Sequence, residues 1–419
     1  MGLGMTRRGF LAGLTATVAF RDTAWASIAQ MSPKNTGPED EAFWAEVRNH
    51  FIFHEKMTSF NHVGLAPPPK AAYEEQLKQL KRAASIPTQI IWREQIKEIE
   101  AVRNRLAPLI GAKPEETALT YNASYGLQTG IMGWPLQKGD AIVTSSHDYS
   151  RAFTAIKQRA RRDGIMLVEI PVQAPPESKE KILESWSDAL KPNVKLAVLC
   201  TVTFLNGQIL PVKEIIELCH SRGVAVLLDG AQSIGLLPTE LDKWKPEMYT
   251  ACLHKWLMAP IATGVFSVPK NTIKKVWSLS PSEESLENDI TKFEQVGTRP
   301  LAPILAINQA IDFHEWLGME LKFKRLQYLR ERIGKGLFEE QNIVNFGSLD
   351  PTKACAMVTV GFKGKSGIEA SGWLANNHSI HVTTTLRAGI DAIRISPNVF
   401  TSLEEVDRLV KAIREFAES

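Results

Sequence analysis

An acidic residue and a lysine lie 26 positions apart in the middle of the chain, each in a setting that suits chemistry. Asp229 ends an apolar run, and Lys255 directly follows His254. A lysine amine forms a Schiff base with an aldehyde, and a buried carboxylate pairs with a protonated pyridine nitrogen. Pyridoxal 5′-phosphate (PLP) carries both partners. We therefore predict a PLP enzyme in which Lys255 holds the cofactor and Asp229 keeps its ring protonated, so that the ring accepts electrons when a bond at the substrate Cα breaks.

The sequence around these residues alternates between short apolar runs and helical patterns. The apolar runs cover residues 141–144, 166–170, 196–202, 224–228 and 265–268, and helical patterns such as 212–221 separate most of them. This alternation predicts an α/β fold with a mostly parallel central sheet covered by helices. Ligands of such sheets bind beyond the carboxyl ends of the strands. Residues 122–124, His147 and Asp229 all follow predicted strands, so we expect them to meet at one crevice.

The composition of the 419 residues is ordinary for a soluble globular enzyme, with 44% hydrophobic and 23% charged residues. Lys and Arg number 49 against 46 Asp and Glu, which argues against the basic excess of a nucleic-acid binder. The four cysteines, Cys200, Cys219, Cys252 and Cys355, form no CxxC pair and have no zinc-like spacing. We therefore predict no metal site and no disulfide framework, with Cys200 and Cys252 as small buried apolar residues.

The N-terminal segment reads as a targeting signal. The sequence TRRGFL at 6–11 resembles the twin-arginine export signal, the apolar stretch 9–20 is too short to span a bilayer, and AWA at 24–26 fits a cleavage site. We therefore expect residues 1–26 to be a signal peptide that the twin-arginine machinery reads, with a periplasmic or exported protein as the result. The charged pair Arg21-Asp22 departs from the pattern. A cytoplasmic protein with a chance arginine pair is the alternative.

The motifs DGAQSIG at 229–235 and HKWLMAP at 254–260 resemble the class V aminotransferase family of PLP-dependent enzymes, in its isopenicillin N epimerase-like branch. The resemblance runs from about Asn61 to Ala417. It implies fold type I, with a linker and helix at 27–60, a large PLP-binding domain at 61–300 and a smaller α/β C-terminal domain at 301–419. It also implies a homodimer with shared active sites and a small-molecule amino acid or peptide-metabolite substrate.

The same resemblance assigns roles to individual residues of the expected crevice. Lys255, the Schiff-base residue, moves the Cα proton, and Gln232 contacts the 3′-oxygen of the cofactor. Phosphate contacts are implied for Ala123, Ser124 and His254, and for Thr298 toward the phosphate of the neighbouring subunit. His147 is implied as the ring that stacks on the cofactor, with Tyr149 as the competing candidate. Arg394, in the apolar segment IRIS at 393–396, is implied as the clamp for the substrate α-carboxylate.

Two departures from the family narrow the chemistry. Phe204 stands where relatives often carry a hydrogen-bonding residue, so that contact is lost or moved. Cysteine desulfurases carry a nucleophilic cysteine shortly before the carboxylate-binding arginine, whereas residues 382–390 contain no cysteine. The sequence therefore argues against desulfuration through a persulfide.

Four functions are considered, three enzymatic and one not. Transamination, or related tailoring at Cα or the amino group, needs one proton shuttle, Lys255, and ranks first. Epimerisation needs a second proton donor on the opposite face, for which a stacked His147 or Tyr149 is poorly aimed. A C–S or other β-elimination lyase needs Lys255 and Arg394 but no amino acceptor. A non-catalytic exported binding protein, from a different class, conflicts with the intact Asp229, Lys255 and Arg394.

Overall fold

The computed structural model describes residues 32–33 and 36–419 of the chain. The twin-arginine motif and the expected cleavage site therefore lie outside the described residues. None of the helices in the described part combines the length and the hydropathy that crossing a membrane requires.

The described residues form 13 strands in three sheets. In chain order they are β1 (Thr58–Ser59), β2 (Thr117–Thr120), β3 (Ala141–Ser145), β4 (Met166–Ile170), β5 (Val194–Cys200), β6 (Ala225–Asp229), β7 (Met248–Cys252), β8 (Gly264–Ser267), β9 (Ile343–Asn345), β10 (Val358–Phe362), β11 (Ile380–His381), β12 (Thr383–Arg387) and β13 (Ile390–Ile395).

The largest sheet has seven strands in the order β2-β8-β7-β6-β5-β3-β4. The pairs β4–β3, β3–β5, β5–β6 and β6–β7 are parallel. Strand β8 runs antiparallel to both of its neighbours, β7 and β2. The mostly parallel central sheet predicted from the sequence is thereby confirmed. Every residue of β3, β6 and β7 is buried, as expected for strands with helices on both faces.

Helices and helical turns cover both faces of this sheet and build the C-terminal region. The α-helices are Glu41–Arg48, Lys70–Ser85, Pro87–Gln89, Ile96–Leu109, Ala123–Gly133, Ser150–Asp163, Lys179–Ala189, Val212–Ser221, Leu241–Trp244, Lys270–Ile273, Ala302–Leu305, Ile307–Leu317, Met319–Lys335, Gly367–His378 and Leu403–Glu418. A π-helical segment covers Ile90–Gln95, and 3-10 turns cover Pro114–Glu116, Glu284–Leu286 and Ile290–Glu294.

Alternate residues of one strand enter different hydrophobic cores. Val226 and Leu228 of β6 join the core with the helices Ile96–Leu109 and Val212–Ser221. Leu227, between them, joins the core with the helices Ala123–Gly133 and Ser150–Asp163. Because side chains alternate across a strand, β6 is held from both sides. The position of Asp229 at its end is therefore fixed.

The smaller sheet is antiparallel, in the order β12-β13-β10-β9. Helices Met319–Lys335, Gly367–His378 and Leu403–Glu418 pack on it around a separate core. This is the smaller C-terminal unit that the resemblance implied. The boundary at 300/301 stays a prediction, because residues such as Leu305 and Ile311 pack into the core of the larger sheet.

Buried charges cover the free edge of β2. Glu294 accepts a hydrogen bond from Leu119 N–H at 2.7 Å, and it pairs with both Arg103 and Arg299. Arg299 also donates to Leu119 O at 2.7 Å, and Arg103 to Thr117 O at 2.5 Å. Three side chains thus satisfy backbone groups that an edge strand normally leaves to water.

We expect Glu294→Gln to lower the free energy of unfolding by about 3–5 kcal/mol, because it leaves the buried Arg299 without a carboxylate and leaves Arg103 with only the more exposed Glu100. Glu331→Gln is the control, since Glu331 pairs with Lys335 on an exposed helix face and its loss is expected to change stability by less than about 1 kcal/mol. Urea unfolding of both variants measures the difference. Equal small losses would contradict the role given to Glu294.

Candidate active site

A cavity of about 580 Å³ opens at the carboxyl ends of the parallel strands. The last residues of three neighbouring strands line it: Cys200 of β5, Asp229 of β6 and Cys252 of β7. The other lining residues are Asn61, Val63, Gly64, Leu65, Asn122, Ala123, Ser124, Tyr149, Val202, Phe204, Ala231, Gln232, His254, Lys255, Ile261, Ala262, Thr383, Thr384 and Arg394. Of the nine site residues predicted from the sequence, the structure brings seven to this cavity; His147 and Thr298 are not among them.

Asp229 is a buried carboxylate with too few partners. It is 6% exposed, and its Oδ1 accepts one hydrogen bond, from Ala231 N–H at 2.8 Å. Burial raises its pKa from the ordinary 3.8 to about 6, against the Ala231 N–H and the charge of Lys255, while Asp148 adds to the rise. A protonated pyridine nitrogen would supply the missing cation and donor. The residue therefore fits the ring of PLP.

Lys255 lies in an irregular segment between β7 and β8. Hydrogen bonds close this segment, from Leu253 N–H to Thr263 O at 3.0 Å and from Ala259 N–H to Leu253 O at 3.0 Å. Met258 and Ala262 adopt positive φ angles of 58° and 65°, which residues with a Cβ rarely do. Among the described residues, none forms a hydrogen bond with the Lys255 side chain, which lines the cavity and leaves its amine available to an aldehyde.

A helix N-terminus points toward the same cavity and suits a phosphate. The helix Ala123–Gly133 begins after Asn122, whose Oδ1 accepts from Tyr125 N–H at 2.9 Å. Gly264 of β8 packs against the backbone of Asn122, where a Cβ would lie 2.6 Å from its N atom. Backbone N–H groups and the Ser124 hydroxyl at such an end are favourable for a phosphate dianion.

His254 is held in one orientation at the cavity wall. Its Nδ1 lies 3.1 Å from Thr263 O, so Nδ1 carries the proton because a carbonyl only accepts. Burial, together with the nearby charge of Lys255, lowers the pKa of the ring to about 4, against the hydrogen bond to Thr263. A neutral ring offers the cavity an Nε2 that only accepts, so contact with a phosphate requires a second proton on His254.

Gln232 is also fixed, through its oxygen. The Trp256 indole N–H donates to Gln232 Oε1 at 3.1 Å, and Gln232 Nε2 lies 3.4 Å from Val63 O. The amide nitrogen therefore keeps a hydrogen for a group in the cavity. This orientation agrees with the contact to the cofactor 3′-oxygen implied for Gln232.

Arg394 is a buried cation without an acid. It is 8% exposed, and its guanidinium donates to Phe204 O at 2.5 Å and to Asn61 Oδ1 at 3.4 Å. Its Nε has no partner, and no carboxylate of the described residues forms an ion pair with it. Burial lowers its pKa to about 10. An anionic group is what this site lacks, as expected for a clamp on a substrate carboxylate.

His147 is not among the residues that line the cavity, so the stacking role implied for it stays a prediction. Its side chain is fully buried, both ring nitrogens lack hydrogen-bond partners, and burial with nearby Arg387 lowers its pKa to about 4. After β3, the Asp148 carboxylate accepts from both Ser145 N–H and Ser145 Oγ–H, which forms a tight turn. Tyr149, the competing candidate two residues later, does line the cavity.

Thr298 lies outside the cavity as well. It is exposed and lines a separate groove with Trp92 and Gly297. Its neighbour Arg299 belongs to the buried charges on β2. The contact implied between Thr298 and a neighbouring subunit therefore stays a prediction.

Sequence reasoning missed that two cysteines form part of the cavity wall. Burial raises the pKa of both the Cys200 and the Cys252 thiol, with Asp148 and Asp229 adding to the effect at Cys200. Both thiols are therefore protonated at neutral pH and poor nucleophiles. Their positions at strand ends carried the signal. Asn61, Thr383 and Thr384 also line the cavity, from segments without a readable motif.

A mostly parallel sheet with a smaller antiparallel C-terminal unit, and a cavity with a free lysine above a buried carboxylate, define the class of fold type I PLP enzymes. The chain belongs to the class-V aminotransferase family, which matches residues 70–409. This confirms the family predicted from the motifs at 229–235 and 254–260.

Known relatives have several activities. Isopenicillin N epimerase of Streptomyces clavuligerus is 25% identical over 389 residues, covering 89% of this chain and 98% of the relative. Hercynylcysteine sulfoxide lyase of Schizosaccharomyces pombe is 25% identical and covers 77% and 84%. A C-DES mutant, solved with glycine covalently linked to its PLP cofactor, superposes with a TM-score of 0.78 at 21% identity, covering 88% of this chain and 99% of that one.

Asp229→Asn is expected to stabilise the cofactor-free protein and to weaken PLP binding. The pKa of about 6 lies above the ordinary 3.8, so the folded state binds the proton more tightly and loses stability as pH rises from about 4 to about 6. At pH 7 the variant is expected to gain up to about 3 kcal/mol.

Urea unfolding of the cofactor-free proteins at pH 4 and pH 7, with PLP titrations, measures both effects. The gain should vanish at pH 4. If the stability of the wild type and of Asp229→Asn changed with pH in the same way, and PLP affinity were unchanged, Asp229 would not be the carboxylate under the ring.

Proposed function

We propose that the protein is a PLP-dependent enzyme that acts at the Cα and amino group of an amino acid, or of an amino-acid residue in a secreted metabolite, as an aminotransferase. The observation that carries this is the wall of one cavity, with a lysine free of hydrogen bonds, a buried carboxylate without a cation, and a buried arginine without an acid. Covalent PLP in a structural neighbour supports the cofactor. PLP is the cofactor of this chain.

Bound PLP supplies an electron sink for the electron pair left at the substrate Cα. The residues of the chain do the rest. Asp229 provides the negative charge under the ring nitrogen, and Arg394 binds the substrate carboxylate and so orients the Cα bonds. The Lys255 amine, once released by the substrate, carries the proton at Cα.

The groups in the cavity that can donate or accept a proton favour transamination. Lys255 serves for the single shuttle that transamination needs. Epimerisation needs a second donor, and the two cavity thiols hold their protons tightly because burial raises their pKa values. Epimerisation is the second candidate, because isopenicillin N epimerase covers 89% of the chain; elimination is the third, because a sulfoxide lyase is also similar.

The remaining wall indicates the substrate side chain. In this proposal the charged groups of the wall, Asp229, Lys255 and Arg394, are already assigned to the cofactor and the substrate carboxylate. Tyr149 and Phe204 form an edge-to-face aromatic pair with centroids 5.5 Å apart, and Leu65 and Ile261 stand exposed at the cavity wall. We propose a substrate with an uncharged side chain, because a charged one finds no counter-ion here.

The test uses the purified holoenzyme with amino acids that carry apolar, amide, acidic or basic side chains. Transamination predicts that the visible absorbance of the bound cofactor is lost with an uncharged amino acid and returns with a 2-oxo acid. Persistent absorbance with exchange of the Cα hydrogen into deuterated water indicates epimerisation instead, and release of ammonia indicates elimination. Either Cα exchange with persistent absorbance or release of ammonia would overturn transamination.

Arg394→Lys serves as the matched variant. It keeps the charge but loses the planar pair of donors, so KM for the amino acid should rise at least about tenfold while the cofactor absorbance stays unchanged. Lys255→Ala should abolish covalent attachment of PLP altogether. A KM unchanged in Arg394→Lys would exclude the carboxylate role.

A homodimer belongs to this proposal. Large apolar side chains are exposed on the outside of the larger unit, among them Ile86 at 59%, Trp92 at 56% and Trp277 at 79%. Exposed apolar groups of this size favour a protein–protein contact. Thr298 lines the same groove as Trp92, so a partner there would bring Thr298 near a second molecule. Light scattering is expected to give twice the chain mass, and a single-chain mass would exclude the shared site.

We also propose export through the twin-arginine route to the periplasm. The motif at 6–11 supports it, and a route for folded proteins suits an enzyme that takes up a phosphorylated cofactor in the cytoplasm. Replacing Arg7 and Arg8 by lysine is expected to keep the protein in the cytoplasm, as fractionation would show. A wild-type protein found only in the cytoplasm would refute export.

A further inference from the structure

One helix of the C-terminal region carries three deeply buried cations. In Met319–Lys335, Lys322, Arg325 and Arg330 are 0%, 0% and 1% exposed. Charged side chains are almost never fully buried unless they are paired. Each of the three donates to backbone carbonyls of a segment outside the helix. The helix therefore joins irregular segments through its buried cations.

The three residues bind different parts of the chain. Arg325 pairs with Glu41 and donates to Pro38 O at 2.8 Å. Arg330 donates to three carbonyls of the 348–354 segment at 2.8–2.9 Å. Lys322 donates to Trp256 O. Of the three, Lys322 alone reaches the segment that contains the cofactor lysine.

The surroundings of Lys322 are unfavourable for a charge. No carboxylate of the described residues pairs with it, and burial lowers its pKa to about 7. The titratable group beside it is the buried His314 of the preceding helix, whose Nδ1 has no partner. Lys322 also lies near the N-terminal end of its helix, where the macrodipole disfavours a cation. An ordinary packing role would suit a methionine or leucine better.

The Trp256 carbonyl, which accepts the hydrogen bond, explains why a lysine stands at position 322. Trp256 directly follows Lys255 in the irregular segment between β7 and β8, and within the described structure its carbonyl receives only the hydrogen bond from Lys322. The Trp256 indole in turn donates to Gln232 Oε1 at 3.1 Å. Trp256 thus links Lys322 to two residues of the cavity wall. The positive φ angle of Met258, two residues later, shows that this segment needs outside support.

We propose that Lys322 is a positioning residue, which fixes the Trp256 carbonyl and thereby holds Lys255 where PLP can attach. This rests on the proposed role of Lys255. Without the ammonium donor, the carbonyl is buried and unsatisfied, so the segment moves to find another partner. Lys255 then occupies the attachment position for a smaller fraction of the time.

The test compares Lys322→Met with Arg330→Met in the full-length protein. Both substitutions remove a buried cation from the same helix, but only the first touches the Lys255 segment. Lys322→Met is expected to attach PLP at least about tenfold more slowly, bind it at least about tenfold more weakly and shift its visible absorbance. Arg330→Met is expected to lower the unfolding temperature with normal PLP attachment and absorbance.

Equal PLP attachment in the two variants would overturn the proposal, because a merely structural role moves stability alone. If Lys322→Met fails to fold, Lys322→Gln takes its place, with Arg330→Gln as control. The glutamine side chain is one atom too short to reach the carbonyl, so the same comparison decides.

Borohydride reduction of the wild-type holoenzyme, followed by peptide mapping, separates this proposal from the function itself. If the reduced cofactor is found on Lys255 and Lys322→Met attaches PLP normally, the proposed function stands and the positioning role is rejected. If the reduced cofactor is found on another lysine, both the proposed function through Lys255 and the positioning role are rejected.

Discussion

A carboxylate buried where parallel strands end is the constraint on which this site depends. Asp229 receives one N–H and little water, so its charge becomes favourable only when a cation lies beside it. The fold keeps it in place because β6 pairs in register with β5, Cys200 beside Asp229, and with β7, Thr250 beside Asp229. Burial destabilises the Asp229 carboxylate when no cation lies beside it, and the same burial makes the site selective for a cationic ring.

The smaller unit supplies the complementary charge. Arg394 comes from β13 of the antiparallel sheet, whereas Asp229 and Lys255 come from the larger one. Each sheet thus contributes one buried charged group that has no ion-pair partner among the described residues. A ligand that is positive near Asp229 and negative near Arg394 completes both at once. The two units therefore depend on each other at the cavity, although their hydrophobic cores are separate.

The sequence predicted best what chemistry and periodicity dictate. Asp229 and Lys255 were found because few functions need both residues in such settings, and β6 because its run is apolar on both faces. His147 and Tyr149 could not be ranked from the sequence, since both follow the same strand two residues apart; only the three-dimensional arrangement of the turn shows that Tyr149 lines the cavity. Lys322 looks in sequence like any helical lysine, because its burial arises from contact with a segment 66 residues away.

The ion network on β2 has a consequence for self-association. An uncovered edge strand can recruit a strand from another molecule, which is how many folded proteins begin to aggregate. Here Arg103, Glu294 and Arg299 already bind the outward N–H and C=O groups of Leu119 and Thr117. A foreign strand would have to displace two paired guanidinium groups to add there. The sheet thus ends in charged side chains, and in the proposed dimer a contact at the nearby apolar surfaces would not extend the sheet from one molecule into the next.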